Sequence, residues 1–405
     1  MGTMRQRILF LLLPVVILPL LSMGPVFAQN PIVIGSFGPF SPPGSIAQWS
    51  EAVDGIKLAV EMINERGGVL GRPIRVQFED SAGIPERGRA AVERLITQHK
   101  VPAIVGGNHS SVCLAVTEIV HARRIPFINV NCWANAIREK GYPEVFNTAV
   151  VNARIAVAGA YFIRHLGSKT VVAFAENTDF GIGLAQALGS RLKAIAPDVR
   201  YTYTVLDREA KDFAPAILGF AQRPPDVVVT IMDPPAGYII INQLKEFGVA
   251  PTPRTWLLDL DALAELPDFW DNVEEAGKFL TGIALFHPAM KLTDLGQSVR
   301  ERHKKRTGRE ASRLVFQGFD AMWVMADAIK RAGSLEAGAI IKALRATNLV
   351  GTRGRISFSL ERGPFFQQWV EVPFAIIQFT EVKQPLERST IVFPLAQATG
   401  TLRRP

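Results

Sequence analysis

Cysteine, tyrosine and histidine are all scarce in this chain, and past its first residues no segment stays apolar long enough to span a bilayer. The two cysteines, Cys113 and Cys132, lack a Cys-x-x-Cys arrangement. The six histidines, His99, His109, His121, His165, His287 and His303, show no metal-ligand spacing. Gly181-Ile-Gly183 lacks the third glycine of a dinucleotide fingerprint, and neither a P-loop nor a Gly-x-Ser-x-Gly elbow occurs. These absences argue against an enzyme and imply no metal and no cofactor. Low complexity is missing too, and 48% hydrophobic with 20% charged residues is the composition of a globular protein.

What is present begins with an export signal. Arg5 and Arg7 precede an apolar run from Ile8 to about Gly24, and Val26-Phe27-Ala28 places small residues where a signal peptidase reads them. Cleavage is expected after Ala28, leaving a periplasmic chain that begins at Gln29; no cysteine follows the site to carry a lipid anchor. The run is shorter than the roughly 20 residues of a spanning helix and contains Pro14 and Pro19. With the signal gone the formal charge of +8 becomes +6, too diffuse to imply nucleic acid. The densest basic run, Arg300 to Arg309, reads as a solvated helix end.

Past the signal, short strand patterns alternate with helix-length segments. Strands are expected at Ile32–Ile34, Ile74–Phe78, Ala103–Val105, Ile125–Ile128, Thr170–Ala175, Tyr201–Val205, Val227–Met232 and Thr255–Leu258. Helical spacing recurs between them, as in Val53, Ile56, Val60 and Ile63 before the Arg66-Gly67-Gly68 stop. Later come helical patterns near Ser298–Lys305, Val315–Arg331 and Leu335–Ala346, then strand-like Arg355–Phe358 and Gln367–Phe379. The alternation predicts an α/β fold of two doubly wound parallel-sheet lobes, with ligand-facing loops at the carboxyl ends of the strands.

The stretch Gly55-Ile-Lys-Leu-Ala-Val-Glu-Met-Ile-Asn-Glu-Arg-Gly-Gly-Val-Leu-Gly-Arg-Pro-Ile74, followed by Glu79-Asp80, carries a resemblance. Echoes in the same order include Ile104-Val-Gly-Gly-Asn-His-Ser-Ser111, Asp179-Phe-Gly-Ile-Gly183, Pro225-Asp226 and Phe319-Asp-Ala321. With them the chain resembles the periplasmic solute-binding proteins of type I, in the leucine/isoleucine/valine-binding branch that serves ATP-driven importers. The resemblance implies three hinge crossovers, near Asn147–Val150, Thr281–Phe286 and Gly351–Arg355. One lobe would then hold residues 29–149 and 281–354, the other 150–280 and 355–405. It also implies a monomer that captures a small carboxylate by hinge closure and delivers it to permease subunits. A ligand-sensing receptor of the same fold is the competing function.

Ser110 and Ser111 sit between a predicted strand and a predicted helix, where unpaired N–H groups and the helix dipole face an anion. A helix-capping role would also place a serine there. The resemblance points to Ser110 as a donor to the ligand carboxylate, with backbone near Asn131 and Trp133 adding contacts. It makes Asp259 the partner of an α-ammonium, and Phe180 the ring over the ligand. Asp233, at the neighbouring strand end, is a second acidic candidate, and Trp49 is either cleft wall or plain packing. Asn131-Cys132-Trp133 and the proline-rich loop Gly38–Gly44 depart from the relatives, so another amino acid, an amide or an aromatic acid competes with leucine. Cys113 and Cys132 fall near the same end of adjacent strands, as a disulfide or as two buried thiols.

Overall fold

The computed structural model describes residues 30–405, so the export segment and its cleavage site lie outside the described residues. The chain first lays down β1 (Ile32–Gly38), α1 (Ile46–Glu65), β2 (Ile74–Asp80), α2 (Pro85–Thr97), β3 (Ile104–Gly106), α3 (Ser110–Ala122), β4 (Phe127–Asn129), α4 (Asn135–Glu139) and β5 (Val145–Asn147). Its five strands pair parallel in the order β2-β1-β3-β4-β5. Every residue of β3, β4 and β5 is buried, as expected of parallel strands covered on both faces.

The chain then passes to a second sheet through α5 (Asn152–His165), β6 (Thr170–Glu176), α6 (Asp179–Ile195), β7 (Arg200–Leu206), α7 (Ala214–Leu218), β8 (Val227–Ile231), α8 (Ala236–Glu246), β9 (Trp256–Asp259), α9 (Phe269–Val273) and β10 (Thr281–Ala284). It returns to the first sheet with α10 (Asp294–Thr307), α11 (Arg313–Ala332), α12 (Ala337–Arg345) and the small ladder of β11 (Asn348–Val350) with β12 (Arg355–Ser357). The last strands, β13 (Ala375–Gln378) and β14 (Thr390–Phe393), complete a seven-stranded sheet in the order β14-β13-β10-β9-β8-β6-β7. β13 runs antiparallel to both of its neighbours, β10 and β14, so the second sheet is mixed at that edge where parallel sheets were expected.

Two of the expected crossing points move. β10 pairs with β9 and β13, so Thr281–Ala284 belongs to the second sheet and the chain leaves it only afterwards. The last crossing falls some residues beyond Gly351–Arg355: Asn147 N–H donates to Gln367 O at 2.9 Å, and Trp369 N–H donates back to Asn147 O at 2.9 Å. Gln367–Phe379 is therefore not one strand. Its first part edges the first sheet, a turn at Val370-Glu371 ends that pairing, and β13 starts in the other sheet. Alternation reports an extended backbone but not which sheet receives it.

The most recognisable motif turns out to be packing. A Cβ at Gly55 would lie inside the Val315 carbonyl and one at Gly318 inside the Ala52 carbonyl, so α1 and α11 meet backbone to backbone. The basic run is an ion-paired face rather than a merely solvated end: Arg302 reaches Glu65 at 2.8 Å, Arg306 reaches Glu61 at 3.3 Å and Arg309 reaches Glu51 at 2.7 Å. Beside the crossings, the fully buried Arg138 donates to Gln368 Oε1, Cys132 O, Ala134 O and Val150 O at 2.8 to 3.2 Å. Burial lowers its pKa to about 9, and those four acceptors hold the charge there.

Candidate functional site

The carboxyl ends of β3 and β4 face those of β6, β8 and β9, and a cavity lies between them. It is lined by Asn108, Ser110, Asn131, Trp133, Phe180, Asp233 and Asp261. Its volume is about 10 Å³, the room of one water.

On the first side, the turn after β3 requires glycine at position 107: its φ is +92°, and a Cβ there would collide with the Cys113 sulfur. The turn delivers Ser110 to the first position of α3, yet its hydroxyl does not cap that helix. Ser110 Oγ instead accepts the Trp133 N–H at 3.0 Å and the Ala134 N–H at 3.1 Å. With its acceptor capacity used by those two donors, the hydroxyl proton is free to donate into the cavity. Cys113 and Cys132 form a disulfide that ties the start of α3 to the loop carrying Trp133.

Polar side chains behind Ser110 form a chain. Asn131 Nδ2 donates to Asn108 Oδ1 at 2.9 Å, Asn108 Nδ2 donates to Gln48 Oε1 at 3.0 Å, and Trp133 Nε1 donates to Asn131 Oδ1 at 3.0 Å. Arg313, the first residue of α11, donates to Asn131 Oδ1 at 2.9 Å and lies over the Trp133 ring at 5.1 Å. Its Nε sits 3.1 Å from Glu265 Oε2, on a loop of the second sheet, with both side chains buried. Glu265 also accepts the N–H groups of Leu285 and Phe286. This pair therefore joins the two sheets beside the cavity.

On the second side, four carboxyls are buried besides Glu265. Glu176, at the end of β6, accepts the Asp233 N–H at 2.8 Å and the Thr178 hydroxyl at 2.6 Å, which fixes the loop carrying Asp233. Asp259 accepts the N–H groups of Asp261 at 3.2 Å and Leu263 at 2.9 Å, so its charge shapes its own loop. Asp261, two residues on, lines the cavity, and its Oδ2 is buried with no hydrogen-bond partner among the described residues. Among the described residues the Asp233 carboxylate meets only the Gln48 amide, at 3.5 Å.

Removal from water raises all the acids that titrate abnormally here: Glu176 to about 7, Asp259 to about 6, Glu265 to about 7 and Asp261 well above its usual range. For Asp261 the neighbouring charges of Asp233 and Asp259 add to that rise. His109 goes the other way, to about 4, because burial disfavours its imidazolium. It is neutral at physiological pH.

The structure thus gathers Ser110, Asn131, Trp133, Phe180 and Asp233 on one cavity, with the Phe180 ring edge-on to Trp133 at 5.6 Å. Ser111 stands at the mouth, where its hydroxyl accepts the Asp179 N–H at 3.3 Å across the cleft. Asp259 lies outside the lining, turned onto its own loop, and Trp49 is fully buried in the core under Gly38 and beside Phe40. Asp261, Asn108, Gln48 and Arg313 are the residues that sequence reasoning missed. Asp261 carried a signal, being an acid one strand repeat past Asp259, whereas Arg313 reaches the site only through the return of the chain to the first sheet.

Comparison with known proteins agrees with this architecture. The chain is 26% identical over 339 residues to the Leu/Ile/Val-binding protein BraC3 of Rhizobium johnstonii, covering 82% of this chain and 88% of that one. Its fold matches a leucine-binding protein from Thermotoga maritima with a TM-score of 0.79 at 22% identity, covering 88% of this chain and 98% of that one. It also matches a solute-binding protein of an ABC transporter from R. palustris in complex with benzoate, with a TM-score of 0.74 at 18% identity, covering 86% and 93%. The profile of one family spans residues 31–373, and on that evidence the chain belongs to the periplasmic binding protein family.

Proposed function

We propose that this protein is the extracytoplasmic solute-binding component of an ATP-driven importer and that its cleft takes an amino acid. The observation that carries the choice of ligand is Asp261, whose buried carboxylate oxygen faces the cavity without a partner beside a second carboxylate, Asp233. Leaving such groups unpaired is costly, and an α-ammonium, with three donors, satisfies both. Across the cavity the Ser110 hydroxyl donates to the α-carboxylate. Each end of the zwitterion then needs a different lobe, so closure depends on the ligand. An aromatic acid such as the benzoate bound by the neighbour has no ammonium, and it would leave both aspartates uncompensated.

In this reading the segments after Asn147, Ala284 and Trp369 act as hinges, and permease subunits recognise the closed form. Export rests on the amino-terminal signal, removed after Ala28. Among the described residues no helix is long and apolar enough to cross a membrane. The ligand is captured and released unchanged.

Calorimetric titration of the mature protein with amino acids tests the proposal. Charge-assisted hydrogen bonds of about 1.5 to 3 kcal/mol predict that Asp261→Asn weakens binding roughly 10- to 100-fold. Unaltered affinity in that variant, or binding of benzoate in place of any amino acid, refutes it. The raised carboxyls also fix the sign of the pH response. Each keeps its proton in the folded chain where the unfolded chain has lost it, so unliganded stability falls as pH rises from about 4 towards 7. An ammonium favours the ionised carboxylates, so binding releases protons and strengthens over the upper part of that window.

A further inference from the structure

The inner cavity adjoins a roomier one with which it shares Ser110 and Asp233: a cavity of about 370 Å³ at the mouth of the cleft. A ligand side chain that leaves the inner cavity between those two residues enters it. Four acids line this outer space, Asp233 and Glu176 at its inner end and Asp207 and Glu209 at the exposed rim. Against them stands Arg208, the one charged basic side chain in the wall among the described residues, 4.0 Å from Glu176 and therefore beyond a direct hydrogen bond. His109 also lines the wall, and its neutrality leaves the acids in excess. Pro85 is the only apolar side chain among the lining residues, so an aliphatic chain gains little by burial here.

We infer that the ligand is an amino acid with a basic side chain, whose distal cation sits in this outer cavity against Glu176 and the acids of the rim. The inference rests on the amino-acid reading above and narrows it. The α-ammonium takes Asp261 and Asp233, the α-carboxylate takes Ser110, and the side-chain cation brings a second positive charge to a wall in which four acids face one arginine. The aromatic walls Trp133 and Phe180 flank the aliphatic stem, where long basic side chains are themselves apolar. A branched aliphatic side chain has neither a partner for these acids nor enough apolar wall.

The test is a calorimetric comparison of arginine, ornithine, glutamine, glutamate, leucine and benzoate on the mature wild-type protein, followed by arginine on Glu176→Gln and Glu209→Gln and by the preferred amino acid on Asp261→Asn. Arginine or ornithine is expected to bind at least about tenfold tighter than leucine or glutamine, the ratio one charge-assisted contact supplies, and to weaken with added salt. Glu176→Gln, which keeps an acceptor for the Asp233 N–H, should cost arginine about tenfold. Glu209→Gln, at an exposed position that carries no fold, should cost it about twofold. A preference for leucine, glutamine or glutamate that still depends on Asp261 overturns the basic side chain and leaves the amino-acid reading standing. Failure of every amino acid, with binding of benzoate, overturns both.

Discussion

The two walls of the cleft are made the same way and carry opposite chemistry. Each is the set of loops that follow parallel strands, but the first wall offers neutral donors, Ser110, Asn108 and Asn131, hydrogen-bonded to one another or to backbone. The second offers carboxylates, of which Asp261 retains an unpartnered buried oxygen. A neutral network satisfied within its own lobe costs little when the lobes part. Buried acids cost a great deal, and their raised proton affinities record that cost. The first wall is therefore a preformed socket, and the second is the half whose energy depends on what binds.

Arg313 is where this comparison breaks most easily, because it belongs to the first lobe and neutralises an acid of the second. Arg313→Met should cost about 3 to 5 kcal/mol, since it strands Glu265 in the interior. Urea unfolding at pH 8 should show this loss, and the deficit should shrink below about pH 7, where Glu265 takes a proton. An equal deficit at pH 5 would mean that the guanidinium acts through packing on Trp133 alone. Next in size is the disulfide that braces the first wall. Its sequence separation of 19 residues predicts about 3 kcal/mol lost when both cysteines are replaced by serine. Labelling of the denatured, unreduced protein should find no free thiol, and two reactive thiols would remove the brace from the account. The smallest effect is expected at Ser110, the neutral donor. Ser110→Ala should weaken amino-acid binding by about 1.5 kcal/mol, the low end for a hydrogen bond to a charged group and less than the charge pair removed in Asp261→Asn. A larger loss at Ser110 would invert the ranking of the walls.

Much of the first wall was legible in the sequence. Ser110 and Asn131 follow short strands, and a side chain one or two residues past a parallel strand end has few places to point except the cleft. The second wall was harder to read. Asp259 ends β9 and Asp261 follows it, and the two are alike as residues; the turn at Ala262, with φ of +59°, bends the chain so that Asp259 binds its own loop and Asp261 enters the cavity. Trp49 is core rather than cleft because the short β1–α1 connection lays its ring beneath Gly38, a packing outcome that the local pattern does not report. The recognisable Gly55 helix owes its glycine to α11, more than 250 residues further on.

By itself, the sequence determined the two-sheet α/β architecture and the family. Hydrophobic runs, helix periods and stop signals are local properties, and alternation alone demands parallel strands with covered faces. Only the tertiary structure decided which strands share a sheet, where the chain crosses between lobes and which of two neighbouring aspartates enters the cavity. Those outcomes depend on contacts between residues far apart in the chain, and on a carboxylate's choice between its own backbone and an open cavity.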